Sequence, residues 1–261
     1  MTRSQLLFSL AGLVLVILIY RLPRVVVENE TDAEVAVETH DFTISSEDAA
    51  AIQSLRLSLT DPNEENLGIF ADSLARYYLR YGFLDSASNV SQAYLVEDSS
   101  LINRKKGIAI LYAVFERSLD QIEAADKSKE LRPYIEQALS EDPADLTLKN
   151  KLAMTLVTTE NPMAGITLLR EIVSIDPENR EALINLGLLS MRSGQFDRAV
   201  GRFQTLLELD TADHESKLYL AIASIEVGDE EKSDRLLNEI IQASNVDPAI
   251  RQSALEYLER D

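Results

Sequence analysis

What constrains this chain most is a period. Asp142-Pro143 and Asp176-Pro177 lie 34 residues apart, and Asp210-Thr211 lies 34 further on. Gly194 and Gly228 keep the same interval, as do Leu152, Leu186 and Leu220, and Ile172, Leu206 and Ile240. Several markers share one length and one phase. Such a chain is built from repeated supersecondary units that bury their apolar faces against their neighbours, not from one closed core.

The unit has a physical logic. Each block holds two apolar-periodic runs of about twelve residues separated by a turn, the pattern of a helical hairpin. In the block 180–213 the first run carries Leu183, Leu186, Gly187 and Leu189, and the second Phe196, Ala199, Val200, Phe203, Leu206 and Leu207. Gly194 lies between them and tolerates a positive φ. Small Gly187 and Ala199 let the two helices approach closely, and Phe203 fills the space beside them. The Asp-Pro pairs stop one helix and help to start the next.

These blocks resemble the tetratricopeptide repeat. That family places a large apolar residue at unit position 4, Leu at 7, Gly or Ala at 8, Tyr at 11, Ala at 20, Phe at 24, Ala at 27 and Pro at 32. Here those places hold Leu183, Leu186, Gly187, Ser190, Ala199, Phe203, Leu206 and Thr211, so the unit departs at Ser190, Leu206 and Thr211. The units are expected at 68–101, 102–145, 146–179, 180–213 and 214–247. The second is ten residues overlong. Its register is read with Ile108, Ala109 and Tyr112 at positions 7, 8 and 11. Phe115, Leu119 and Ile122 continue the apolar phase, so the excess is expected in its first helix. Flanking helices are expected at 46–59 and 247–260, the latter with a polar outer face as an end cap requires. The resemblance implies an all-α fold, a tetratricopeptide helical-hairpin solenoid wound as a right-handed superhelix, over residues 46–261.

Ahead of the array, residues 4–20 carry no charge, with Arg3 before them and Arg21 and Arg24 after. As a helix they span roughly 25 Å, the short end of a bilayer crossing. The small residues of a cleavage site do not follow, so residues 1–24 are expected to be an uncleaved single transmembrane anchor in contact with the lipid bilayer through residues 4–20. Glu28, Glu30, Asp32, Glu34 and Glu38 make 25–45 an acidic linker. Lys/Arg counting favours a cytoplasmic body. The closeness of the span to the start favours the other orientation. The expectation is a membrane protein whose body lies outside the cytoplasm, with the opposite side left open.

The net charge is −19, with 25 basic and 44 acidic residues, which disfavours nucleic acid as a partner. There is no Cys, and His40 and His214 stand far apart, so neither a metal site nor a cysteine nucleophile is expected. Ser45-Ser46-Glu47-Asp48 suits a helix cap better than a nucleophile, since no base accompanies it. No phosphate-cradling glycine loop exists, no cofactor is implied, and the chain is not expected to be an enzyme.

In the resembled family the first helices line a concave groove through positions 2, 5, 6, 9, 12 and 13. Carried over, the groove residues are Arg76 and Arg80; Asn150, Lys151 and Met154; Asn185, Leu188, Met191 and Arg192; Leu218, Tyr219, Ile222 and Ile225. The resemblance thus implies a scaffold binding partner proteins or peptides with acidic and apolar segments. The family's clamp for C-terminal carboxylates is not expected, because the Lys and Arg partners of Asn150 and Asn185 fall at other positions. A self-assembling homo-oligomer and an accessory subunit of a membrane enzyme complex are the alternatives.

Overall fold

The computed structural model describes residues 44–60, 66–97, 100–118, 120–159 and 161–259. The expected anchor at 4–20 and nearly all of the acidic linker, with His40, lie outside the described residues, as does Leu119 of the overlong block. Among the described residues there are twelve helices and no strand, and no helix is long and apolar enough to cross a membrane. They are α1 (Ser46–Ser58), α2 (Leu67–Arg80), α3 (Leu84–Glu97), α4 (Leu101–Glu116), α5 (Gln121–Glu141), α6 (Leu146–Val157), α7 (Pro162–Ile175), α8 (Arg180–Arg192), α9 (Phe196–Leu209), α10 (His214–Glu226), α11 (Glu230–Gln242) and α12 (Pro248–Leu258).

The periodic residues make the helix ends. Asp142, Asp176 and Asp210 stand at the C-caps of α5, α7 and α9. Three residues later Asp145, Asn179 and Asp213 cap the next helices, each side chain accepting from a backbone N–H of the first turn. Asp247 does the same for α12. Pro143 and Pro177 therefore sit in the turns between helices, where a chain that cannot continue a helix is wanted, whereas Pro248 opens α12. Ser45 caps α1 by accepting from the Asp48 N–H, the role its sequence suggested. Inside the hairpins Gly82, Gly194 and Gly228 hold positive φ. There the Gln195 N–H reaches back to the Ser190 carbonyl and the Asp229 N–H to that of Ser224, closing a Schellman-type turn.

Packing recurs with the same period. Ala75, Ala153 and Ala221 are fully buried on first helices. Gly187 holds the equivalent place, and a Cβ on it would lie 2.5 Å from the Phe203 ring. Opposite them Ala87, Ala199 and Ser233 are buried on second helices. At the ends Ile52 of α1 packs with Leu74 and Tyr78, and Ala254 of α12 packs with Leu237 and Ile240.

Two expectations for the overlong block fail. First, the extra length lies mostly in the second helix. α4 has 16 residues against 13 in α8, whereas α5 has 21 against 14 in α9. The Asp120 side chain accepts from the Ile122 and Glu123 N–H groups and starts α5 there. Ile122, read as continuing the core stripe of the first helix, is 77% exposed. The extension is tied down by buried Ser128, whose hydroxyl donates to the Thr155 carbonyl at 3.0 Å. It walls an open cavity of about 820 Å³ with the α6–α7 turn. Second, the register of α4 is one residue earlier. Arg104, Gly107, Ile108 and Leu111 are buried and Ala109 is exposed. In that register Ile108 takes the small-residue position, and Gly107, just before it, packs on the preceding helix instead, where its Cβ would lie 2.7 Å from Leu95 of α3.

These contacts separate two glycines. Phe203 is fully buried and its ring stacks on Tyr219 at 5.4 Å, so it cannot swing aside. Gly187→Leu should overpack this contact and lower stability by about 1–3 kcal/mol. Gly201 lies mid-helix with open space around its Cβ position, so Gly201→Ala should raise stability by roughly 0.5–1 kcal/mol. Urea denaturation of both variants checks the register. An unchanged midpoint for Gly187→Leu would place that residue elsewhere.

Candidate functional site: a polar groove across four first helices

A cavity of about 250 Å³ is lined by Tyr112 and Glu116 of α4, Asn150 and Lys151 of α6, Arg180, Glu181, Ile184 and Asn185 of α8, and Glu215 of α10. Every one of these residues belongs to the first helix of a hairpin. The unit length places them so, because residues 34 apart repeat one face of successive first helices.

Side-chain amides cross from unit to unit. The Asn185 Nδ2 donates to Asn150 Oδ1 at 3.0 Å, and the Asn150 Nδ2 donates to Glu181 Oε2 at 2.8 Å. Asn150 is only 3% exposed, so both its oxygen and its nitrogen need these partners. The Lys151 ammonium sits 4.2 Å from the centre of the Tyr112 ring. Arg180 reaches forward to both Asp213 and Glu215 at 2.9 Å.

The charges leave marks on one another. Burial pushes the Glu116 carboxyl above its ordinary range; Lys151 opposes this and Glu181 adds to it. Burial, and then the Glu116 and Glu181 carboxylates, push the Tyr112 phenol up, and its hydroxyl donates to Glu116. Burial works to raise the Asp213 carboxyl, but the Ser216 N–H and hydroxyl and the Arg180 guanidinium outweigh it and hold it below the usual range. Burial raises the Tyr219 phenol, aided by Glu215.

The groove residues read from the sequence fall into three groups. Asn150, Lys151 and Asn185 meet in this cavity. Met154, Leu188, Met191, Tyr219 and Ile222 are half-buried and Leu218 is buried, all packed against the hairpin cores, Tyr219 also donating to Glu215, while Ile225 is exposed. The arginines do not join the cavity. Arg76 is held by Asp72 on its own helix, and Arg80 lies 3.6 Å from Asp48 and stacks on Tyr77. Arg192 is exposed at the end of α8. Tyr112, Glu116, Arg180, Glu181, Ile184 and Glu215 were not read as groove residues. Glu181 and Glu215 each occupy the second position of a unit, one of the groove positions, so the signal was present. Tyr112 was hidden by the one-residue slip in α4, which moves it to position 12, and Glu116 lies beyond the last groove position in either register.

No family model and no curated protein matches the sequence. Among solved structures, the chain is similar to a tetratricopeptide repeat protein from Parabacteroides merdae ATCC 43184, at 14% identity and a TM-score of 0.58, covering 82% of this chain and 81% of that one. It is also similar to TTC0263, a thermophilic tetratricopeptide-repeat protein of Thermus thermophilus, at 16% identity and a TM-score of 0.54, covering 68% and 91%. The fold of the described residues is a tetratricopeptide-repeat array.

Glu116 offers a test of the cavity's electrostatics. A carboxyl whose folded pKa is raised contributes most below its unfolded value, about pH 4.3, and that contribution is lost as pH rises through the folded pKa. Gln imitates the protonated form and can still accept from Tyr112. Glu116→Gln should therefore stabilise the fold at pH 7 by no more than about 1 kcal/mol and have no effect near about pH 3.5. Denaturation midpoints of the variant and parent at the two pH values check this. A larger gain at the acid end would reverse the sign.

Proposed function

We propose that the protein is a membrane-tethered interaction scaffold whose first-helix groove takes an extended segment of a partner protein. The observation that carries this reading is the cavity itself, a recess crossing four successive first helices and walled by amides and charges. A bound strand can hydrogen-bond its backbone to Asn185 and set its side chains against Tyr112, Lys151 and Ile184. Met191, Arg192 and Tyr219 extend the same wall. The tether is residues 1–24, whose uncharged stretch 4–20 has the length and flanks of a single span, followed by the acidic linker; the body lies outside the cytoplasm.

The chemistry of the ligand differs from the acidic segment that basic residues alone suggested. Glu116, Glu181 and Glu215 outnumber Lys151 and Arg180 at the cavity, and Arg180 is already held by Asp213 and Glu215. A segment that offers backbone amides and a cation suits this wall; a run of carboxylates does not.

Photo-crosslinking in native membranes tests the groove. A crosslinking residue placed at Leu188 or Arg192 of the full chain should give adducts of discrete mass with a partner, and one placed at Glu136 on α5 should not. Adducts from Glu136 alone would move the interaction to the outer surface. Adducts consisting of two copies of the chain would support self-assembly instead. The tether is checked separately: the full chain should resist alkaline carbonate extraction, and deletion of residues 1–24 should release it.

A further inference from the structure

With 44 acidic and 25 basic residues in the chain, a group of neighbouring cations with no carboxylate among them is a local departure from the average. Among the described residues Arg76, Arg80, Arg104, Lys105, Lys127, Lys129, Arg180, Lys217 and Arg235 are all in ion pairs. Others are not, and among these Arg170 of α7 and Arg198 and Arg202 of α9 lie on the second helices of consecutive hairpins with charges that reach one another.

Their placement follows from the packing. Arg198 and Arg202 are four apart on α9 and share a face. Arg202 is half-buried, and one of its terminal nitrogens, Nη1, donates to the Leu186 carbonyl at 3.1 Å and to the Ser190 hydroxyl. Ser190 stands where the resembled repeat has Tyr, and its small side chain leaves room for the guanidinium. The Arg202 Nε and Nη2 remain for another acceptor. Leu169, adjacent to Arg170, packs in the same core cluster as Leu186. This sets α7 beside the carbonyl that Arg202 holds. Arg198 engages only the Gln195 side chain, and Arg170 is exposed. Burial and then the charges of Arg170 and Arg198 hold the Arg202 pKa below its ordinary value, and no carboxylate opposes them.

We propose that Arg170, Arg198 and Arg202 form a second docking surface, on the second helices and apart from the groove, that takes a carboxylate-rich segment of a partner protein. Guanidinium forks match carboxylates two bonds at a time, and three of them whose charges reach one another suit a short run of Asp and Glu. Charge also selects the kind of partner. A flat anionic bilayer would also have to approach the rest of a chain of net charge −19, whereas a narrow acidic segment needs to meet only the surface around the three arginines.

The test uses the full chain in nanodiscs of zwitterionic lipid and a fluorescein-labelled peptide of alternating Asp and Glu, read by anisotropy at low salt. The parent should bind, more weakly as salt rises. Arg170→Glu with Arg198→Glu should weaken binding by at least about tenfold with helicity unchanged. These two side chains are exposed, so the variant keeps the structural bonds of Arg202. Arg76→Glu with Arg80→Glu, at the far end of the array, should bind as the parent does. Failure of the parent to bind, or equal binding by the Arg170/Arg198 variant, overturns the proposal. So does capture of vesicles containing anionic lipid, or of inorganic phosphate, without capture of the peptide. Because the readout does not involve the groove, failure here leaves the groove reading standing, and failure of the groove leaves this one.

Discussion

Each hairpin of regular length closes on a small residue. Where Gly187 meets Phe203, and where Gly165 meets the Ala153 carbonyl at 2.3 Å from a Cβ it does not carry, the helices are nearer than larger side chains permit. That approach fixes the tilt of the second helix on the first, and the next hairpin packs on the surface the pair presents. Burial then repeats: Leu169, Phe203 and Leu237 are each essentially buried, one per unit. Stability in such a stack is a sum of local terms, and no distant contact holds the fold together.

The same geometry separates the two faces. First helices repeat one side and make the groove; second helices repeat the other. Acidic residues outnumber basic ones in the chain, and several cations are held by carboxylates within the array. Arg180, for instance, links one unit to the next through Asp213 and Glu215. What distinguishes a surface here is therefore local departure from the average. In the groove the departure is a chain of amides beside carboxylates; on the second helices it is the arginine cluster around Arg202.

The period, the glycine turns and the caps were legible in the sequence because each is a local rule that recurs: Gly194 and Gly228 at positive φ, Asp145, Asn179 and Asp213 at N-caps. The second unit was legible only in length. Its excess could be assigned to either helix by apolar phase, and Ile122 favoured the wrong one because an exposed isoleucine on an extension reads like a buried one. The cap formed by Asp120 decides the matter, and one Asp among many is a weak signal. Ala109 fitted the small-residue position by spacing, yet it is exposed, and the tight contact of this helix is that of Gly107 with Leu95 of the preceding one. In the groove, Glu181 and Glu215 stand at a groove position of the repeat, but their charge runs against the acidic partner that Lys151 and the arginines implied. The bond from Arg202 to Ser190 joins residues on two helices, and helical periodicity carries no information about it.

Hydrogen exchange of the full chain, followed by mass spectrometry at rising urea, tests most directly whether the array is a nearest-neighbour stack. Such a stack requires exchange to spread inward from α1 and α12, with α6 to α9 opening last and intermediate urea populating partly opened arrays. A single transition in which all twelve helices lose protection together would contradict it.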